Sequence, residues 1–207
     1  MKGQSKKMPQ TMQDMSPQQQ RLAMSRLKKL YAEIDRPQHI FLREHPAAAC
    51  AENCHICCTE AAPLVSEVEF AFLRRDFAQL SPARRRQVLA SALVSRRQLQ
   101  VGDGDRFVCP LLHDGRCLVY AARPYLCRSF GHSRRPATKA AARPTVYTCP
   151  QLRALPALDE APILDFRLQA LRRHALPLID SYLPIWLTTT AKQRRINWRE
   201  NGMAVVT

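Results

Sequence analysis

Glycine is scarce in this 207-residue chain, with six in all, and no Gly-x-Gly-x-x-Gly pattern occurs. Nothing therefore marks a phosphate-cradling turn between a strand and a helix. Long apolar runs are missing too. No stretch approaches the roughly 18 consecutive apolar residues that span a bilayer. The nearest, Leu176 to Leu187, is interrupted by Pro177, Asp180 and Pro184, so it reads as a packed segment, and no membrane partner is expected. Met1 to Arg36 is rich in Lys, Gln and Met and lacks the continuous apolar centre of a secretory signal, which points to a cytoplasmic chain. No serine, histidine and acid grouping stands out as a hydrolytic triad, and no internal repeat is visible.

Acidic residues are outnumbered, 17 Asp and Glu against 32 Lys and Arg, for a formal net charge of +15. Basic pairs and triplets recur at Arg84-Arg85-Arg86, Arg96-Arg97, Arg134-Arg135, Arg172-Arg173 and Arg194-Arg195. Such a surface suits a nucleic-acid or protein partner. Their even scatter along the chain favours a solvated basic face.

The length fits one main core with terminal additions. Residues 1–15 are polar, charged and aperiodic, and read as a disordered basic tail. Residues 16–48 read as an amphipathic helical arm. Ser16 caps it, Pro17 suits its first position, Gln19 completes a capping box, and Ala23, Leu27, Leu30, Tyr31 and Ile34 form one apolar stripe. Ser66 with Glu69 opens a second helix through about Gln79, with Val68, Phe72 and Leu73 inward. Glu67 and Glu69 there fit the positive end of the helix dipole. Ser81-Pro82 opens a third, to about Gln100, with Val88, Leu89 and Leu93 inward, and Gly102-Asp103-Gly104 ends it. His113-Asp114-Gly115 joins two strand-like runs, 106–112 and 116–120, into a hairpin. A short helical turn from Pro124 presents Cys127. Residues 133–148 read as irregular, and 151–207 as a helical extension marked by Ile163, Phe166, Leu171 and Leu176. The expected fold is mainly α, with helices around a small irregular cysteine-metal core that carries a short hairpin.

The eight cysteines dominate the middle of the chain: Cys50, Cys54, Cys57, Cys58, Cys109, Cys117, Cys127 and Cys149. In a reducing compartment such a set reads as metal ligands before disulfides. Buried inert cysteines account for one or two residues, not for eight in this spacing. A pair two residues apart lets two sulphurs on one turn reach the same ion, in zinc and iron-sulphur sites alike. Neighbouring side chains diverge, so Cys57 and Cys58 suggest two centres, a bridging thiolate, or one ligand beside one thiol. Cysteines 50–149 delimit an expected metal-binding domain over 49–150.

The run Cys50-Ala-Glu-Asn-Cys-His-Ile-Cys-Cys58, then Cys109-Pro-Leu-Leu, Gly115-x-Cys117-Leu-Val-Tyr120 and Arg123-Pro124-x-x-Cys127-Arg128, resembles the bacterial YkgJ-like cysteine-cluster family, whose CxxCxxCC domain is described as zinc- or iron-chelating. All eight cysteines match its positions. One branch resembles the amino-terminal part of flagellin lysine N-methylases, which implies iron-sulphur-dependent methyl transfer as one alternative.

Soft thiolates suit zinc and iron-sulphur clusters equally. Two zinc ions on four thiolates each would make closed structural sites. A four-iron cluster (4Fe-4S) would use four sulphurs and leave the rest for a second centre, catalysis or redox exchange. The Cys50-x3-Cys54-x2-Cys57 spacing also occurs in radical S-adenosylmethionine enzymes, but the strand-helix alternation of their barrel is absent. The sequence thus supports a metal-binding protein with a structural or redox role, against a zinc-stabilised nucleic-acid-binding adaptor. His55, His113 and His132 are candidate substitute ligands or outer donors, with His55 foremost. Arg123 and Arg128 bracket Cys127 and either face sulphur or pack. Tyr120 and Phe130 are candidates to cover an open face of the centre.

Overall fold

The computed structural model describes residues 12, 14–49, 54–60, 62–101, 107–130, 133–135, 145–146, 149, 163–165, 167–176 and 180–188. The fold is mainly α with a short β-hairpin.

Helix α1 runs Pro17–Glu44. The Ser16 side chain accepts from the Gln19 amide, and the Gln19 side chain accepts from the Ser16 amide at 2.8 Å, completing the expected capping box. Its buried residues are the expected stripe, Ala23, Leu27, Leu30, Tyr31 and Ile34, with Phe41 added. The tail ahead of it is described only at Met12, Asp14 and Met15. Of these, Met12 is buried and donates its amide to a carboxylate oxygen of Glu67.

After a 3-10 turn at Pro46–Ala48 come α2 (Ile56–Thr59), β1 (Leu64–Ser66), α3 (Glu67–Gln79) and α4 (Pro82–Gln100). Helix α3 begins on the Ser66–Glu69 capping box. It stands between two cores. Phe70 and Leu73 enter one with Val65, Val88, Phe107, Leu111, Leu183 and Trp186. Val68 enters the other with the α1 stripe, Tyr125, Leu171 and Leu176, and Phe72 packs against both.

Helix α4 keeps its expected span, but its inward face differs from the expected one. Val88 is buried as expected, whereas Leu89 and Leu93 are 38% and 53% exposed. The buried line is Val88, Ala92 and Ser95. These small side chains bring α4 close to α7 (Leu183–Thr188). Ser95 Oγ lies 2.9 Å from the Val108 carbonyl, to which it donates, so a polar residue replaces leucine on the packed side.

The hairpin is shorter than the runs that suggested it, with β2 at Leu112–His113 and β3 at Arg116–Cys117. Asp114 and Gly115 both have positive φ, 49° and 71°, the condition of a two-residue type I′ turn that glycine and aspartate meet at least cost. A 3-10 turn, Tyr120–Ala122, leads into α5 (Tyr125–Arg128). The segment expected to be irregular contains β4 (Ser133–Arg135) and β5 (Thr145–Val146), paired antiparallel, and β6 (Leu164–Asp165) lies parallel to β4.

Helix α6 (Arg167–Arg173) ends in a Schellman pair. The amide of Ala175, at φ 48°, bonds the Arg172 carbonyl and that of Leu176 bonds the Leu171 carbonyl. Leu171 and Leu176 are buried as expected, Ile163 is 48% exposed, and Phe166 lies outside the described residues. Strand β7 (Asp180–Tyr182) pairs antiparallel with β1. Trp186 stacks on Phe70 at 5.3 Å and donates its indole N–H to the Val65 carbonyl at 2.7 Å. The segment read from sequence as packed is therefore core: Leu183, Pro184, Ile185 and Trp186 are buried. Among the described residues no helix is long and apolar enough to cross a membrane.

Candidate metal centre

Four separate pieces of backbone deliver cysteines to one place. Cys57 and Cys58 occupy the single turn of α2, with Cys54 just before it. The Cys109 amide donates to the Cys58 carbonyl at 2.8 Å, which sets the segment entering the hairpin beside α2. Cys117 sits on β3 opposite Leu112. Cys127 is on α5, whose first amide, that of Tyr125, donates to the Glu69 carboxylate at 2.6 Å.

These six cysteines line one cavity of about 340 Å³. Pro63, Leu111, Val119, Pro124 and Leu183 supply apolar wall, and Gly115, Arg116, Tyr120 and Arg123 supply the remainder. Of the two other cysteines singled out in the sequence, Cys149 is buried away from the cavity wall and Cys50 lies outside the described residues. The seven described cysteines are thiols rather than disulfides. Among the described residues no three Cys, His, Asp or Glu side chains already surround a single point as a coordination shell. The thiols enclose a volume instead.

The thiols interact with one another. Cys57 is hydrogen-bonded to Cys58, and Cys58 to Cys109. The bond to Cys58, then burial, pushes the Cys57 thiol far above its ordinary range. The bond to Cys109, with burial, pushes Cys58 up to about 12. Burial is the main cause of the upward shifts at Cys117 and Cys127, reinforced by the charge that neighbouring thiolates would carry. Arg123 opposes the rise at Cys57, Cys117 and Cys127. Crowding and burial thus favour the neutral form of Cys57, Cys58, Cys117 and Cys127, and a cation is the group that would reverse the balance, because it favours the thiolates that crowding disfavours. Six soft donors in a low-dielectric pocket fit zinc or an iron-sulphur group by donor type.

The two arginines bracketing Cys127 separate in role. Arg128 turns from the cavity toward α1. It is buried, pairs with Asp35, donates to the Ala121 carbonyl and to the Arg123 carbonyl at 2.7 Å, and lies 4.1 Å over the Tyr31 ring. Arg123 faces the cavity, with its guanidinium 3.6 Å over the Tyr120 ring. Tyr120 lies at the cavity wall and is 58% exposed, whereas Phe130 is half-buried outside the wall.

Neither His55 nor His113 is on the cavity wall. His55 is exposed ahead of α2. His113 faces Asp114 at 2.7 Å and Arg84 on α4. His132 lies outside the described residues.

Glu69 is the supporting residue that the sequence does not reveal. It was read as a helix amino-terminal carboxylate, yet it is fully buried. One oxygen accepts from the Ser66 amide and hydroxyl at 2.9 and 2.8 Å, the other from the Tyr125 amide and, at 3.4 Å, from Tyr31 OH. One carboxylate so joins α1, the start of α3, and the helix that carries Cys127. The capping box accounts for Glu69 locally and leaves no trace of the distant bonds.

Residues 49–150, about half of the chain, match the family model CxxCxxCC, described as a putative zinc- or iron-chelating domain. No curated protein matches the chain. No solved structure matches it.

Proposed function

We propose, from the premise that the chain belongs through residues 49–150 to the CxxCxxCC family, that it binds metal as thiolate in the cavity between α2, the hairpin and α5. The ligands in this reading are drawn from Cys54, Cys57, Cys58, Cys109, Cys117 and Cys127, with Cys50 and Cys149 as further candidates for a second centre. The observation that carries it is the convergence of six cysteines from four backbone segments on one cavity. Chance burial does not bring this about, since sulphurs crowded together without a cation only raise one another's pKa.

An iron-sulphur cluster stands ahead of one or two zinc ions. The Cys50-x3-Cys54-x2-Cys57 spacing and the resemblance to the amino-terminal part of flagellin lysine N-methylases support that order. A cluster would supply electron transfer or an open coordination position, and zinc would supply structural cross-linking. The chain's own contribution is the same in both cases. Glu69 fixes α5, the Cys109 amide fixes the hairpin entrance to α2, and apolar side chains line part of the wall.

Metal and acid-labile sulphide content, with an absorption spectrum, on protein purified without oxygen tests the proposal. Brown protein with iron and sulphide in equal amounts supports the cluster, and colourless protein with zinc supports the structural centre. Protein that retains no metal and takes up neither zinc nor iron refutes both.

A further inference from the structure

Helix α4 carries apolar residues on a side that its packing does not use. Val88, Ala92 and Ser95 form its buried line, whereas Leu89, Ala90, Leu93 and Val94 are exposed. Residues three and four apart are neighbours on a helix, so these four make one contiguous strip. A scattered exposed leucine needs no explanation, but a strip does. Arginine closes it at both ends. Arg86 and Arg97 are eleven residues apart, about three turns, which sets them on the same face as Leu93 and about 16 Å from one another along the axis. The other three arginines of α4 are engaged on the protein itself: Arg84 with Gln87 and His113, Arg85 with the Ala78 carbonyl, and Arg96 with Thr188. Arg86 and Arg97 are exposed, and among the described residues neither meets a carboxylate. No acidic residue occurs anywhere in Pro82–Gln100. Arginines near the amino end also oppose the helix dipole, so the stability of α4 does not call for them.

We propose that this face of α4 docks an acidic amphipathic helix of a partner protein, whose apolar side chains lie on Leu89 and Leu93 and whose two carboxylates, about three turns apart, meet Arg86 and Arg97. Charge complementarity selects that occupant. A second copy of this chain would set arginine against arginine in either orientation, which repels. A bilayer surface favours an apolar face built on Trp, Phe and Leu, and this strip has no aromatic residue. A nucleic acid would use the guanidiniums and leave the leucines in water. In the proposed complex the strip supplies affinity, and the paired charges fix the register and the sign of the partner. No residue of α4 lines the thiol cavity, so docking here leaves that cavity open and does not depend on the metal-binding reading.

The probe is a fluorescein-labelled synthetic helix of about five turns, with leucines along one face and a glutamate at each end of the leucine strip, about three turns apart. Its counterpart carries lysine in place of both glutamates. Anisotropy is read against the full 207-residue chain purified without oxygen. The native chain should bind the glutamate probe at least about tenfold more tightly than the lysine probe. Leu93→Ser should weaken that binding at least about fivefold. The double variant Arg86→Glu with Arg97→Glu should reverse the preference, so that the lysine probe binds the more tightly, a gain that misfolding cannot mimic. No binding of the glutamate probe at about 1 mM, or no preference between the probes, overturns the proposal. Binding that follows charge alone, unchanged by Leu93→Ser, overturns the helix as occupant. Tighter binding to a DNA duplex than to the glutamate probe, or to vesicles of phosphatidylserine and phosphatidylcholine, overturns the choice of a protein partner. A native dimer that Leu93→Ser dissolves, read by sedimentation, overturns it in favour of a second copy.

Discussion

Replacing Glu69 by alanine tests the architecture behind the thiol cavity most directly. The carboxylate has no exposure and accepts from the Tyr125 and Ser66 amides at 2.6 and 2.9 Å. Truncation leaves both amides buried and unpaired, at about 1–3 kcal/mol each. The Ser66 hydroxyl still caps the helix from its own side, so the expected loss is about 4 kcal/mol in total, a large share of the roughly 5–15 kcal/mol that holds a domain of this kind together. Glu69→Gln keeps one oxygen and turns an N–H pair toward the other donor. It should cost about half as much, near 2 kcal/mol. Urea denaturation of the metal-free protein supplies the numbers, provided the slope of the transition stays constant among variants. Hydrogen exchange at the Tyr125 amide supplies the location, because that proton should lose protection first. A Glu69→Ala chain within about 1 kcal/mol of the native one would refute the hub.

The remaining predictions concern other parts of the molecule. In the metal-free protein, Cys57, Cys58, Cys117 and Cys127 hold protons that the unfolded chain releases near pH 9. The unfolded state therefore binds fewer protons above that pH, so stability should be flat below it and fall as pH rises beyond it, which melting temperatures from pH 7 to 10.5 will show. Loading with metal should abolish this alkaline loss, and metal affinity should instead weaken as pH falls, because each thiolate bound releases a proton. Val88→Ala should cost about 2 kcal/mol while Leu93→Ser stays within about 0.5 kcal/mol, measured by chemical denaturation, since only the former is core. Ala175→Gly should stabilise by about 1 kcal/mol, read as a higher melting temperature, because alanine there adopts a left-handed conformation that glycine takes without strain.

Elements whose signals are local were legible in the sequence. Ser16 and Ser66 announce their helices through capping boxes closed within three residues, and Asp114-Gly115 announces its turn because few other pairs tolerate two positive φ values. The α1 stripe was legible because its periodicity is strong, although Leu22 and Ile40 lie exposed off the buried face. Helix α4 misled for the opposite reason: it carries apolar residues all round, and the face that packs was decided by how closely α7 approaches, which favours Ala92 and Ser95 over Leu89 and Leu93. At the candidate site, spacing identified the cysteines. It said nothing of which arginine beside Cys127 turns inward, because Arg123 and Arg128 differ only in where a tyrosine and an aspartate of other elements happen to lie. Glu69 shows the same limit, as does the β4–β6 pairing, whose partners are separated by some thirty residues.

The grip of Arg128 on Asp35 and Tyr31 ties the stretch defined by its cysteines to α1. Cut at 49 and 150, the polypeptide would keep every cysteine and lose the α1 surface against which α5 leans, together with the Trp186 plug behind Val65. The matched stretch and the packing around it thus have different borders here. The core behind the cavity is built mostly within 49–150 while the seat of Cys127 leans on α1, so a chain of this kind could exchange its outer helices for others only by rebuilding that seat at the same time.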